Sequence, residues 1–410
     1  MKSWRANHVL YGIVIGVISG VVCGCIFGEK MQVVEWLGTI FLNALKMAVI
    51  PLIFSSIVTG ICQLGDIRKI GATGLKTVSY YFVTTGIAVL LGMVLVTVIK
   101  PGIGVEISSY AVPECVGDVS AVSFLDVVLG MVSPNIFKSM VDMQIMPIIV
   151  FALVFGGALA AGGKNSQATV DFFAGVNETM IRIVHLIMHV APFGIFGLIA
   201  SKFAGIGGGN AFFSEISRLG KYSFTVLAGL VIHGCFILPV ILMVWGKRNP
   251  QLYAKNMFVA LTTAFSTASS SATLPITIQS VEEGNHVSSH AASFVLPLGA
   301  TLNMDGTALY EAVAALFIAQ AYGVELTLAQ QVIIFFAATL AAVGAAGIPQ
   351  AGLVTMVMVL QVVNLPVEGV ASILAVDWFL DRCRTTVNVW GDAVGAAVID
   401  QTREIKALRK

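Results

Sequence analysis

From Ala375 to Ala397 the chain reads AVDWFLDRCRTTVNVWGDAVGAA, a polar stretch set between apolar neighbours. Asp377, Asp381, Arg384, Thr385, Asn388 and Asp392 recur there at spacings of four, three, one, three and four. At about 100° of helix per residue, these six fall within roughly a 100° sector, so one face of the helix is polar and charged. Of 410 residues, 57% are hydrophobic and only 11% charged, whereas a soluble domain carries ~25% charged residues. A polytopic α-helical membrane protein follows, since membrane strands would show ~10-residue alternating segments rather than long apolar runs. Ionisable groups in a bilayer face a cavity, a partner or an ion rather than lipid. The helix is therefore expected to line a solute site. Arg384 could instead form a structural ion pair with Asp381 or Asp377, but one guanidinium cannot satisfy three acids.

The net charge of +1 gives no reason to expect a nucleic-acid partner. The six cysteines (Cys23, Cys25, Cys62, Cys115, Cys235, Cys383) lie mostly within apolar runs and read as small hydrophobes, with only Cys115 in an evident loop. Lys2 and Arg5 precede an apolar run from Val9 to Phe27 that lacks an A-x-A site and leads into further membrane segments, which suggests a retained first helix.

Spans are expected at 9–28, 33–62 and 72–99, then a broken fourth region at 121–162 with Pro134 and Pro147, a fifth helix at 166–201 and a sixth at 216–246. Lys46 and Pro51 read as a snorkelling lysine and a kink. Tyr81, Thr84 and Thr85 lie about one turn apart and could present oxygens inward or bond back to their own helix. His185 and His189 have a metal-binding spacing but no third ligand nearby, so packed histidines are the expectation. The basic turns at 63–76 and 247–255 and the tail with Arg403, Lys406, Arg409 and Lys410 place both termini in the cytoplasm. The acidic loop with Glu106, Glu114 and Asp118 falls outside.

In the C-terminal half, an apolar segment is broken by Ser269, Ser270, Ser271 and Pro275, and a second by GAAGIPQAG from Gly344 to Gly352. Each is followed by a polar-centred helix, the first carrying Asp305 amid Gly299, Thr301, Asn303, Gly306 and Thr307. Paired interrupted segments in two halves point to re-entrant hairpins at a repeat interface. Because they start from opposite sides by the charge bias, the repeats are inverted. Asn303, Asp305, Asn388 and Asp392 suit a small hard cation such as Na⁺. The Arg384 fork suits a carboxylate and Asp381 an ammonium, with helix N-termini left for a second carboxylate, so an acidic amino acid fits.

NMDGTALYEA at 303–312, SSSATLP at the first tip, GIPQAGLVTMVMVL at 347–360 and VDWFLDRCRTTVNVWGDAVGA resemble the signature motifs of the dicarboxylate/amino acid:cation symporter family. The likeness runs from KMAVIPLIFSSIVTG to about Gly395. It implies a homotrimer whose protomers have eight transmembrane helices and two re-entrant hairpins with inverted repeats, working as an elevator. Scaffold helices would occupy 1–71 and 121–215. The moving transport unit would take helix 3 and an external loop (72–120), helix 6 (216–250), hairpin 1 with helix 7 (251–322), and hairpin 2 with helix 8 (323–410).

By the same resemblance, Arg384 would hold the substrate side-chain carboxylate and Asp381 its amino group, with Ser270, Thr307, Gly352, Thr385 and Asn388 completing the pocket. Sodium would take Gly299 and Asn388 carbonyls with Asp392; Thr301 with the Ala342 and Ala345 carbonyls; and Tyr81, Thr84, Thr85, Asn303 and Asp305. Arg384 argues against the neutral exchangers, Asp381 against C4-dicarboxylate carriers, and Asp392 for sodium coupling. Glu311, Ala268 and Arg382 resemble the excitatory type, which implies Na⁺ and H⁺ cotransport and admits K⁺ counter-transport. The short external loop after the third span suggests a prokaryotic inner-membrane protein. Two rival classes are an intramembrane protease built on Asp305 and Asp392, which would leave Arg384 without a task and has no G-x-S-x-G, and a channel, which needs a continuous pore.

Overall fold

A computed structural model describes residues 2–63, 67–103, 132–142, 144–206, 210–345, 347 and 349–402. Asp66, the acidic loop with Glu106, Glu114, Asp118 and Cys115, and the basic tail from Arg403 lie outside the described residues, as do the side chains of Lys46 and His185. Among the described residues there is no strand.

The first long helices are α1 (Lys2–Phe27), α2 (Glu35–Gln63) and α3 (Ile67–Ile99). The broken fourth region is a short α4 (Ile136–Val141) and an 18-residue α5 (Ile145–Gly162). The break falls between Asp142 and Gln144, with Pro147 inside the first turn of α5, where a proline's missing N–H costs nothing. α6 runs from Gln167 to Ile206. The sixth span is α7 (Asn210–Ile232), a π turn at His233–Ile237 and α8 (Leu238–Val244). α2 continues through Pro51, whose carbonyl accepts from Ser55 Oγ at 2.7 Å.

Hydropathy windows long enough to cross a bilayer cover 11–62, 73–99, 147–201 and 217–244, hence α1, α2, α3, α5, α6 and the α7–α8 unit. Many large apolar side chains of these helices are exposed, among them Ile15, Val94, Val98 and Phe236, as a lipid-facing surface requires.

The interrupted segments fold as antiparallel hairpins. After α9 (Pro250–Asn256), hairpin 1 pairs α10 (Phe258–Thr267) with α11 (Ser270–Gln279). Hairpin 2 pairs α14 (Leu328–Gly344) with α15 (Ala351–Val362). The first polar-centred span breaks over Asn303 and Met304 between α12 (Ser289–Leu302) and α13 (Asp305–Ala321). The second is one unbroken helix, α16 (Val370–Asp400). All but one residue of α13, and every described residue of α16 from Asn388 to Ala397, are buried. Among the described residues, both polar spans are thus largely covered by the other helices.

Two packing groups result. α1, α2, α5 and α6 pack on one another; α3, α7, α8, the hairpins, α12, α13 and α16 form the second group, which touches α2 through α12, α14 and α15, α5 through α3 and α15, α6 through α7 and α16, and α1 through α16. Near the end of the chain, Asp400 ties the second group together: its Oδ1 accepts from Ser288 N (3.1 Å) and Oγ (2.6 Å), and its Oδ2 lies 3.1 Å from Arg248 Nη2.

Candidate functional site

α16 delivers the six polar residues as its spacing demands, and all six are buried. Arg384 is 0% exposed. Its Nη2 lies 2.7 Å from Asp381 Oδ1 and 3.1 Å from Asp377 Oδ1, and its guanidinium carbon sits 3.8 Å from the centroid of the Tyr310 ring. A desolvated cation over an aromatic face gains ~2 kcal/mol. The ion pairs considered from sequence do form. They do not exhaust the fork, because Arg384 Nε and Nη1 are buried without a hydrogen-bond acceptor. A buried guanidinium with unpaired donors can still take an anion.

Asp381 Oδ2 also accepts from Gln350 N at 2.9 Å, so the acid expected to hold an ammonium is shared by Arg384 and the tip of hairpin 2. Gly352 stands against the guanidinium; a Cβ there would come within 2.8 Å of Arg384 Nη1, so only glycine lets the backbone approach this closely. Ser270 is buried at the start of α11, next to the cap Ser269, whose hydroxyl accepts from Ala272 N. The tips meet: Ser269 Oγ and Ser271 N donate to Gly347 O at 2.6 and 3.1 Å. Thr385 Oγ1 bonds back to Asp381 O at 2.9 Å, while Asn388 bridges to α13, accepting from Gly306 N (2.8 Å) and donating to Thr307 Oγ1 (3.1 Å). α11, α13 and α15 therefore open at Ser270, Asp305 and Ala351, and helix N-termini favour anions.

A second polar centre lies around the break between α12 and α13. Asp305 Oδ1 accepts from Thr85 Oγ1 at 2.7 Å and from Thr84 Oγ1 at 3.3 Å, and Thr84 Oγ1 is also 3.3 Å from Asn303 Oδ1. Asn303 Nδ2 donates to Asp392 Oδ1 at 2.9 Å. Tyr81 Oη donates to Val295 O at 2.6 Å. Thr84 also bonds back to Tyr80 O and Tyr81 O, so both readings of that hydroxyl hold. A side chain at Gly299 would drive its Cβ into the Asp392 carboxylate and within 3.0 Å of Tyr81 Oη. Thr84, Thr85, Asn303 and Asp305 converge as hard oxygen donors at fully or nearly fully buried positions, a set that fits Na⁺.

The remaining expected sodium ligands come together less completely. Ala342 and Ala345 end the first arm of hairpin 2, where the Ala342 carbonyl accepts from Ala345 N at 3.2 Å. Gly347 packs on the carbonyl of Ala300, next to Thr301. The Thr301 hydroxyl itself turns back to Leu298 O at 3.0 Å. Among the described residues there is no cluster of three or more His, Cys, Asp or Glu that would hold a metal in the manner considered for His185 and His189.

Glu311 is 0% exposed, accepts from Thr355 Oγ1 of hairpin 2 and leaves its Oε2 without a partner. Arg382 caps the end of α10, donating to Phe265 O (2.8 Å) and Ser266 O (2.7 Å), beside Ala268 in a left-handed conformation. Sequence reasoning missed three participants. Tyr310, beside the recognised Glu311, supplies the ring under Arg384. Thr355 supplies the partner of Glu311. His233 places Nε2 3.0 Å from Asp305 Oδ2. The signal for His233 was a lone histidine in an apolar span six residues before Pro239.

The family model described as sodium:dicarboxylate symporter family matches residues 9–402. Excitatory amino acid transporter 3 of Oryctolagus cuniculus is 40% identical, covering 96% of this chain and 83% of the relative. Excitatory amino acid transporter 1 of Ambystoma tigrinum is 39% identical over 91% of this chain and 78% of the relative, and an excitatory amino acid transporter of Caenorhabditis elegans 39% over 97% and 88%. The protein is a multi-pass membrane transporter and not an enzyme, and the chain belongs to the sodium:dicarboxylate symporter family.

Proposed function

We propose that the protein carries L-glutamate and L-aspartate into the cell by secondary active uptake, drawing on the sodium gradient. The observation that carries this is Arg384, buried, with two donors of its fork unpaired and Asp377 and Asp381 beside it. The fork would take the side-chain carboxylate and Asp381 the ammonium. The α-carboxylate would meet the N-termini at Ser270 and Ala351. Thr307, Gly352, Thr385 and Asn388 shape the pocket around it. A C4-dicarboxylate would leave Asp381 without an ammonium, and a neutral amino acid would leave the fork unfilled; each uncompensated buried charge disfavours that substrate.

Sodium, the family's coupling ion, supplies charge balance when bound. Tyr81, Thr84, Thr85, Asn303 and Asp305 would hold one ion, Gly299, Asn388 and Asp392 a second, and Thr301 with Ala342 and Ala345 a third. Glu311 would carry the cotransported proton, and internal K⁺ would reset the carrier. α3, α7–α8, α12, α13, α16 and both hairpins would move as an elevator against α1, α2, α5 and α6 in a homotrimer. Both termini would be cytoplasmic in the plasma membrane, or in the inner membrane of a bacterium. The names of the relatives support the substrate class, and the fit of the residues supports the ion.

The test is uptake of labelled L-aspartate and L-glutamate into proteoliposomes with Na⁺ outside and either K⁺ or choline inside. Sodium-dependent uptake that rises with internal K⁺ is expected. Uptake indifferent to K⁺ would remove the K⁺ step, and uptake without sodium dependence would end the cation assignments.

A further inference from the structure

The imidazole of His233 is placed with unusual care for a residue outside the expected ligand sets. It is 0% exposed, as is Asp305, and its Nε2 lies 3.0 Å from Asp305 Oδ2. The other carboxylate oxygen, Oδ1, is already taken by the Thr84 and Thr85 hydroxyls. His233 Nδ1 is buried without a partner, so the ring makes one directed bond and that bond goes to Asp305.

The backbone is bent to make it. Pro239 has no N–H for the Cys235 carbonyl, and the helix widens into a π turn over His233–Ile237, closed by Leu238 N on His233 O. The loosened turn is fixed from α16, where Trp390 Nε1 donates to Gly234 O at 2.9 Å. Tyr80 Oη reaches Gly391 O at 3.1 Å on the same helix. The turn that carries His233 is thereby tied to the helix that carries Asp392.

We infer that His233 is a positioning residue for the sodium centre: it donates Nε2–H to Asp305 Oδ2 and so fixes the plane of the carboxylate whose Oδ1 accepts from Thr84 and Thr85. This rests on the sodium reading of that centre. Outer hydrogen-bond partners of a metal-ligating group commonly control affinity by ~10–100-fold.

The experiment is equilibrium Na⁺ binding by purified, substrate-free protein in choline buffer, read as the sodium concentration at half-maximal rise in melting temperature. His233→Met and His233→Leu remove the donor with two different shapes, and His233→Gln keeps one. The Met and Leu variants should need about 10–100-fold more sodium, with Gln within about threefold of the parent. In an Asp305→Asn background, His233→Met should change nothing further, whereas in an Asp392→Asn background its effect should persist; a general loss of packing would weaken both. Because the cycle also runs with His233→Gln against His233→Asn, it stays decisive if the apolar variants do not fold. A parent that responds to sodium with an unchanged midpoint in the variants would overturn the role of His233 alone. A parent without any sodium response would overturn the sodium reading and this inference with it.

Discussion

The two polar centres of the molecule are balanced by different means. Around Arg384, charge meets charge: Asp377 and Asp381 lie within 3.1 Å of one guanidinium nitrogen, an aromatic ring lies beneath, and polar atoms are left over, including both oxygens of Asp377 and two nitrogens of Arg384 without hydrogen bonds. Around Asp305 and Asp392, the carboxylates meet the Thr84, Thr85 and Asn303 side chains and an imidazole, and among the described residues no Lys or Arg pairs with them. Hydroxyl and amide donors orient a carboxylate without cancelling its charge, which on the proposed reading would leave this centre for cations. On the proposed reading the first would exchange partners, since a substrate with both charges can replace what Arg384 and Asp381 now offer each other. A ligand with only one of the two charges would break the pair and leave the other buried and uncompensated.

Replacing Arg384 tests this difference most severely. Arg384→Cys removes the only cation that faces Asp377 and Asp381 among the described residues, and breaking a buried pair costs ~3–5 kcal/mol, on the order of 10²–10⁴-fold. Acidic substrate uptake should be lost by at least that factor while exchange of a neutral amino acid becomes measurable, and the sodium-induced rise in melting temperature should survive. Unchanged aspartate uptake would remove Arg384 from the pocket; loss of the sodium response would show that the centres are one.

The converse experiment is Asp392→Asn, which should raise the sodium concentration for half-maximal uptake by on the order of 10–100-fold. Substrate affinity measured at saturating sodium should change far less. Equal losses in both quantities would erase the distinction between the centres, and wild-type sodium affinity would take Asp392 out of the ion site.

Glu311 belongs to neither centre by direct contact: it bonds hairpin 2 through Thr355 and keeps one buried oxygen free. Glu311→Gln preserves an acceptor for Thr355 but cannot carry a proton. Homoexchange of aspartate should stay within about twofold, an effect below a single net hydrogen bond, while net uptake loses its dependence on internal K⁺ and external pH. Retained dependence would return Glu311 to a structural role.

Much of this arrangement was legible in the sequence because helices convert spacing into faces. Asp377, Asp381, Arg384, Thr385, Asn388 and Asp392 are all buried, as a 3.6-residue period requires of a polar sector in an apolar chain. The break at Asn303–Met304 and both hairpin tips were announced by Gly, Pro and Ser clusters. His233 was not legible in the same way. Its partner Asp305 lies 72 residues away on another helix, and a π turn shifts the register by which a face would be read. Tyr310 and Thr355 escaped for a related reason: each looks like ordinary apolar-span composition until the fold sets it against a charge. The Thr301 corner is the opposite case, for its neighbour Ala300 lies against Gly347 while the Thr301 hydroxyl itself points back to its own helix.

The smallest of the expected effects separates Glu311 from the centres it neighbours. Thr355→Val keeps the shape of the side chain and deletes only the hydroxyl that Glu311 accepts from, a bond worth ~0.5–1.5 kcal/mol net. If that hydroxyl couples the position of hairpin 2 to Glu311, the internal K⁺ concentration for half-maximal stimulation should shift by about two- to tenfold. The sodium midpoint should not move, because the Thr355 hydroxyl bonds Glu311 and Ala351 O rather than Thr84, Thr85, Asn303 or Asp392. Potassium titration of net uptake in proteoliposomes, run beside the sodium melting-temperature titration, reads both quantities. A parallel shift in the two would mean that hairpin 2 packs against the whole unit as one rigid piece. A shift in neither would mean that the Thr355–Glu311 bond serves only to satisfy a buried acid, and the coupling of Glu311 to the hairpin would have to run through the Arg384 side of α13 instead.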